Sequence, residues 1–345
     1  VFINLFNLSM QYKLFGSSGL RVSEIALGTM GFGTEWGWGA DYETSKKVFD
    51  VYANAGGNFL DTANIYTAGT SEKFCGDFVA HDRDHFVIAT KYTLQDRMND
   101  VHYAGNHRKN MMRSVRESLK RLNTDFIDLL WLHAWDFTTP VEEVMRGLDD
   151  LVSRGIVHYI GISDTPAWIV SQANMLADLR GWTAFVGLQI EYSLLQRTPE
   201  RDLLPMAKAW NMSVTPWGAL AGGALSGKYL RGEKGRLPEN SARLNERSTT
   251  IAKEVVAVAE ALGTTPAQVA LKWTMQRDLS VVPIVGATKS EQLLDTLKSP
   301  ELKIPDEHLE RLNAVSAIEL GFPHDFLMSD AVKNALGQTQ KMIVK

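Results

Sequence analysis

Cysteine is nearly absent from these 345 residues, with Cys75 standing alone. One thiol excludes an internal disulfide and every multi-cysteine metal site, and it suits a reducing, cytoplasmic setting. Cys75 lies in the helical stretch "SEKFCGDFVA", where a small buried hydrophobe is expected rather than a nucleophile. An excess of either charge is also missing: 36 Lys and Arg against 40 Asp and Glu leave a formal charge of -4. That balance supplies no basic field for nucleic acid or an anionic membrane, so neither partner is expected. No apolar run approaches the length of a transmembrane helix. The opening "VFINLFNLS" has no basic n-region and no small-residue cleavage site, so residues 1–10 read as a leader or upstream remnant, not a signal peptide. Met10 is then the expected natural start, with the fold beginning near Gln11. A strand-linked G-x-G-x-x-G is lacking too, which removes a Rossmann reading of any dinucleotide site.

What is present is alternation. After a hairpin "YKLFGSSGLRVSEIALG", short apolar runs recur at 24–27, 58–61, 85–90, 126–132, 158–163, 185–191, 212–217 and 280–286. Amphipathic segments separate them at 43–56, 71–80, 109–121, 141–154, 165–178, 199–210 and 251–276, the last broken at Thr264-Thr265-Pro266. Eight nearly continuous apolar strands alternating with helices predict a closed parallel (β/α)8 TIM barrel. It has an N-terminal β-hairpin and two further C-terminal helices, at 290–298 and 306–318. A single domain is expected over 11–330, with a tail at 331–345.

Barrel enzymes place their chemistry at the carboxyl ends of the strands. Here successive strands end on Gly28-Thr29, Asp61, Lys91, His133, Ser163-Asp164, Gln189 to Glu191, and Trp217. Neighbouring parallel strands are about 4.8 Å apart, so Asp61 and Lys91 can pair while Tyr66, five residues after Asp61, folds over them ahead of a Thr70-Ser71-Glu72 helix start. An adjacent ammonium favours the phenolate, and Lys91 is expected to lower the Tyr66 pKa toward the working range of a general acid. Singly, these residues read as a structural ion pair, a wet loop aromatic and a core histidine. All four in order are another matter.

The motifs "FLDTANIY", "VIATKY" and "FIDLLWLHAWD" resemble the aldo-keto reductase superfamily in a bacterial-type form. "NHRKNMMRSVRESLKRLNTDFIDLL", "GISDTPAWIV" and "ALSGKY" extend the resemblance from Tyr12 to about Phe326. It implies that Asp61, Tyr66, Lys91 and His133 form the tetrad that reduces a carbonyl with hydride from a nicotinamide. It also implies an extended cofactor across the barrel mouth, near Gly28, Thr29, Met30 and Asp61. The carboxamide would sit after the fifth and sixth strands at Ser163 and Gln189, with Asp164 where the family commonly has Asn. Trp217 would stack on the nicotinamide, while Gly218, Leu220, Gly222 and Lys228 of the next loop pass over the diphosphate. In "VPIVGATKSEQLLDTL", Gly286, Lys289 and Gln292 match the segment that clamps an adenosine 2′-phosphate, whereas Thr288 replaces a frequent Arg and Thr296 a frequent Asn. NADPH is therefore expected, with Ser290 capping the following helix and NADH a weaker alternative. The same scaffold also serves cofactor-binding regulatory subunits, such as potassium-channel β subunits, and that alternative stays open.

Two patterns are decoys. "GGALSGKY" has the spacing of a phosphate-binding loop, but Tyr229 stands where magnesium needs Ser or Thr. "HDRDH" puts His81 and His85 four apart, without a metalloprotease glutamate and at the inactive end of the barrel. No metal is expected. Trp36 and Trp38, on the glycine-rich first loop, and Trp135, two residues after His133, would with Tyr66 and His133 make an apolar, water-excluding pocket for an aromatic or bulky carbonyl compound or the corresponding alcohol, a small-molecule substrate; the tryptophans can equally be packing under loops. The oligomeric state is not legible.

Overall fold

The computed structural model describes residues 10–238 and 240–337. The expected leader therefore lies outside the described residues except for Met10, which packs beside the Phe49–Tyr52 cluster. The tail lies outside them from residue 338 onward.

An antiparallel hairpin, β1 (Tyr12–Leu14) with β2 (Arg21–Ser23), precedes eight parallel strands. These are β3 (Ala26–Gly28), β4 (Phe59–Asp61), β5 (Val87–Tyr92), β6 (Ile127–Leu132), β7 (Val157–Ser163), β8 (Gly187–Glu191), β9 (Ser213–Trp217) and β10 (Ile284–Val285). Their order is β10-β3-β4-β5-β6-β7-β8-β9, and the ends meet where Val214 bridges Val281 in parallel, so the sheet closes on itself as a (β/α)8 TIM barrel. The eighth strand is shorter than the expected 280–286 because Pro283 removes a ladder donor from its middle. Its carbonyl still accepts from the Ala26 amide at 3.0 Å.

Around the barrel run α1 (Tyr42–Asn54), α2 (Thr70–Val79), α3 (Arg108–Leu122), α4 (Val141–Ser153), α5 (Ala167–Arg180), α6 (Leu203–Ala209), α7 (Glu246–Ala261), α8 (Pro266–Met275) and α9 (Ser290–Thr296). The break expected at Thr264–Pro266 is real: the Thr265 side chain caps α8, with Pro266 opening it. Helix α7 begins earlier than expected because Asn245 and Ser248 form a reciprocal capping box. After α10 (Asp306–Val315) come two short exposed helices, α11 (His324–Met328) and α12 (Asp330–Ala335), too brief for a periodicity to announce them.

Strand alternation decides what faces the interior. Phe59, Ala89, Leu129 and Trp131 point inward and join Phe15, from the hairpin, in a cluster that fills the lower barrel. Phe15 meets Phe59 and Trp131 edge-on at 5.6 and 6.2 Å between centroids. Glycine makes room for these rings. A Cβ on Gly161 would lie 2.3 Å from the Trp131 ring, and one on Gly187 would lie 2.5 Å from Phe15. The same alternation carried one step further up each strand brings Asp61, Lys91, His133, Ser163 and Gln189 to the top of the barrel. None of the described helices is long and apolar enough to cross a membrane.

Candidate active site

Lys91 is wholly buried, and its ammonium is the hub of the barrel mouth. Nζ donates to Asp61 Oδ2 at 2.6 Å, to the Thr62 carbonyl at 2.7 Å and to the Tyr66 hydroxyl at 3.2 Å. Gln189, from across the barrel, donates its amide to the other Asp61 oxygen at 2.8 Å. Both carboxylate oxygens are thus committed, so Asp61 cannot swing toward the mouth. The Tyr66 ring stands edge-on to His133 at 6.0 Å and edge-on to Trp36 at 6.2 Å. His133 is nearly buried, and its Nδ1 has no hydrogen-bond partner among the described residues.

The charges follow from burial and neighbours. Burial works against the Lys91 charge, but Asp61 and then Tyr66 outweigh it, so Lys91 ends above the ordinary lysine value. Burial, with Lys91 adding to it, drives His133 well below the ordinary histidine range, and the imidazole is neutral at pH 7. Tyr66 departs from the sequence expectation. Burial raises its pKa more than the Lys91 ammonium lowers it, and Asp61 adds to the rise. The phenol therefore stays protonated across the neutral range, with a cation poised beside its oxygen.

The residues expected around a nicotinamide are gathered at the strand ends. Ser163 is paired in register with Gln189, and Glu191 with Trp217. The Ser163 hydroxyl is buried and has no hydrogen bond of good geometry among the described residues, with the Asp164 carboxyl as its polar neighbour. Trp217 is half-buried and its indole N–H donates to Asp164 at 3.2 Å, which holds the ring at the rim. Gly28 lies hard against β10, where a Cβ would come 2.7 Å from Ile284. Met30, Leu220, Gly222 and Lys228 are partly exposed around the same face, and Gly218 has φ +69°.

Other residues expected near the cofactor have their side chains engaged elsewhere or stand exposed. The Thr29 side chain is fully buried and hydrogen-bonds the Asp61 carbonyl and Ser71, leaving only backbone to a ligand. Thr296 is buried and donates back to Gln292 and Leu293 carbonyls of its own helix, so it offers no hydroxyl to the mouth. Lys289, not Ser290, occupies the N-cap of α9 and makes no side-chain cap there; Gly286, Thr288, Lys289 and Gln292 are all exposed. The expected capped start of α2 is likewise absent, since Gly69 in a left-handed conformation takes the N-cap position.

Trp36 and Trp38 are packed on each other, centroids 5.7 Å apart, with Trp36 against Tyr66. Trp135 packs partly buried against the main core. Arg236, from the loop after β9, lies 4.4 Å over Trp38, an approach no local pattern in the sequence announces. Also unannounced is a fully buried carboxylate beneath the site. Glu72 accepts from Thr90 and from Arg121, each at 2.5 Å. As the third residue of an amphipathic helix it reads as a surface acid. Cys75 is buried with its thiol pushed up to about 12 by that burial, which makes it inert.

Set against known proteins, residues 24–317 match the model of the Aldo/keto reductase family. The chain is 38% identical over 340 residues to an aryl-alcohol dehydrogenase [NADP(+)] of Phanerodontia chrysosporium, covering 92% of this chain and 88% of that protein. It is 37% identical over 324 residues to a norsolorinic acid reductase of Aspergillus flavus, covering 91% and 83%. An aldo-keto reductase of Aspergillus calidoustus is 37% identical over 340 residues, covering 93% and 85%.

Proposed function

This chain belongs to the aldo/keto reductase family and is an oxidoreductase acting on carbonyl or alcohol groups, and we propose that it does so with NADP(H) and Tyr66 as the general acid. The observation that carries the proposal is the Lys91 ammonium held between Asp61 and the Tyr66 hydroxyl, with a neutral His133 beside the ring. A nicotinamide dinucleotide bound there would supply hydride to the carbonyl carbon, or accept it from the alcohol. Tyr66 holds the proton at Oη and passes it to the carbonyl oxygen as negative charge builds there. Lys91 stabilises the phenolate left behind, and the committed Asp61 keeps the ammonium aimed. A neutral imidazole can donate one N–H to the same oxygen without competing for the proton.

The chain's own residues fit a nicotinamide. The unpartnered Ser163 hydroxyl can bind the carboxamide, Gln189 keeps a free carbonyl oxygen after its amide goes to Asp61, and the Trp217 face can stack on the ring. Trp36, packed between Trp38 and Tyr66, supports an apolar wall for the substrate, and the name of the aryl-alcohol dehydrogenase relative supports an aromatic carbonyl or alcohol as substrate. The single, inert cysteine supports a reducing, cytoplasmic setting.

A cofactor-oxidation screen over aromatic, aliphatic and sugar aldehydes with both dinucleotides tests this reading. Turnover is expected with NADPH and aromatic aldehydes first. Tight cofactor binding with no turnover across the panel would instead favour a regulatory or redox-sensing subunit.

Selection of NADPH rests on Lys289. Its exposed side chain is a point charge rather than a two-toothed fork, so the grip on a 2′-phosphate is expected to be loose and salt-sensitive. Lys289→Ala is expected to weaken NADPH roughly 5- to 10-fold, the scale of one partly screened charge contact, and to spare NADH. Fluorescence titration with each dinucleotide checks this, and equal loss for both would remove Lys289 from the phosphate site.

A further inference from the structure

Tyr66 is followed by backbone that side chains resist. Thr67 has φ 46° and ψ 47°, Ala68 has φ 54° and ψ 31°, and Gly69 has φ 92°. Two successive left-handed residues that are not glycine persist only where their surroundings hold them. One support is local: the Thr67 hydroxyl donates to the Phe32 carbonyl at 2.6 Å and accepts from the Ser71 amide at 3.1 Å. The other comes from beneath. Arg121, near the end of α3, lies so close under Gly69 that a Cβ there would be 2.7 Å from its Cδ. The turn also borders a cavity of about 540 Å³, with Ala68 and Arg121 in its wall.

What fixes Arg121 is Glu72. Its Oε2 accepts from Arg121 Nε and its Oε1 accepts from the Thr90 hydroxyl, both at 2.5 Å, and neither Glu72 nor Thr90 has any exposure. Thr90 immediately precedes Lys91 on β5. One carboxylate therefore ties together the helix that continues the Tyr66 turn, the arginine that props that turn, and the strand that carries Lys91. Apolar groups of similar volume would hold these elements together at least as well as a buried ion pair does. What they lack is direction. One hydrogen bond to each carboxylate oxygen sets where each element sits.

We propose that Glu72, clamped between Arg121 and Thr90, is a positioning residue that sets the distance between the Tyr66 hydroxyl and the Lys91 ammonium. This rests on the reading of Tyr66 as the acid. Glu72 lies below the mouth and acts only through its two partners.

Three variants of the full-length protein test it: Thr90→Val, which deletes one hydrogen bond in an isosteric side chain; Glu72→Gln; and Glu72→Gln with Arg121→Met, which removes both buried charges. Each is read by kcat, KM for an aromatic aldehyde, NADPH affinity, melting temperature and the Tyr66 titration, followed by ultraviolet difference against Tyr66→Phe. A misplacement on the order of 1 Å costs roughly 10²-fold in rate, so kcat is expected to fall about 10-fold in Thr90→Val and about 10²-fold in the Glu72 variants. KM and NADPH affinity should stay within about 2-fold, as these groups do not reach the mouth. Tyr66 should titrate at higher pH, because a longer contact forfeits the pull of the ammonium. The double variant should regain melting temperature without regaining kcat. Wild-type kcat and Tyr66 titration in Thr90→Val and the Glu72 variants, whatever their melting temperatures, would make Glu72 a fold ion pair only. Recovery of kcat together with stability in the double variant would overturn the proposal equally. Should the wild-type protein reduce no carbonyl, the reading of function fails, while the Tyr66 titration still decides the role of Glu72.

Discussion

Replacing Tyr66 by phenylalanine is expected to lower kcat for aldehyde reduction by about 10²- to 10⁴-fold, the range that a positioned proton donor contributes. The ring stays, so its edge contacts with His133 and Trp36 survive. What goes is the hydroxyl that receives the Lys91 hydrogen bond at 3.2 Å. Lys91 keeps Asp61 and the Thr62 carbonyl, so neither the fold nor the ammonium charge is at risk. Dinucleotide affinity should therefore change by less than about 2-fold, since no residue assigned to the cofactor loses a partner. Stopped-flow or steady-state reduction of a good aldehyde, run beside a cofactor titration, separates the two effects. A variant that reduces the aldehyde at near the wild-type rate would show that the proton comes from elsewhere, with His133 the next group to examine.

Lys91→Met carries a second cost that Tyr66→Phe does not. The side chain is fully buried and its partner Asp61 is only 4% exposed at the side chain, so removing the ammonium leaves a carboxylate in low dielectric with the Gln189 amide as its remaining side-chain partner. Breaking one side of a buried pair typically costs about 3–5 kcal/mol. Activity should fall at least as far as in Tyr66→Phe, because the developing phenolate loses its counter-charge. Urea unfolding, compared with wild type and Tyr66→Phe, checks the stability half. Asp61→Asn combined with Lys91→Met should restore much of the lost stability and none of the activity. Full stability in Lys91→Met alone would mean that the Lys91–Asp61 pair does not hold the barrel mouth together.

The barrel was legible because eight apolar runs alternate with amphipathic ones, a pattern that depends on burial rather than on any single residue. The boundary errors have local causes: Pro283 shortens the last strand, and the Asn245–Ser248 box lengthens α7. Strand-end positions of Asp61, Lys91 and His133 could also be read, since period-2 alternation sends successive strand ends into one mouth. Direction of the Tyr66 pKa could not. The sequence places a lysine nearby, but only the three-dimensional packing shows that burial outweighs it. At Thr29 and Thr296 the sequence likewise does not announce that the hydroxyl is hydrogen-bonded to a backbone carbonyl, of Asp61 in one case and of its own helix in the other. Glu72 and Arg121 lie 49 residues apart, and nothing local marks them as partners.

Hydride transfer itself is the central claim, and isotope transfer tests it most directly. The protein is mixed with NADPH deuterated at nicotinamide C4, on each face in turn, and with excess aromatic aldehyde, and the alcohol is analysed by mass spectrometry. One of the two labelled cofactors should yield alcohol carrying a single deuterium on the former carbonyl carbon, the other should yield unlabelled alcohol, and Tyr66→Phe should yield little of either. Cofactor that binds tightly while neither label reaches any product would contradict catalysis by this site and leave dinucleotide binding as its function.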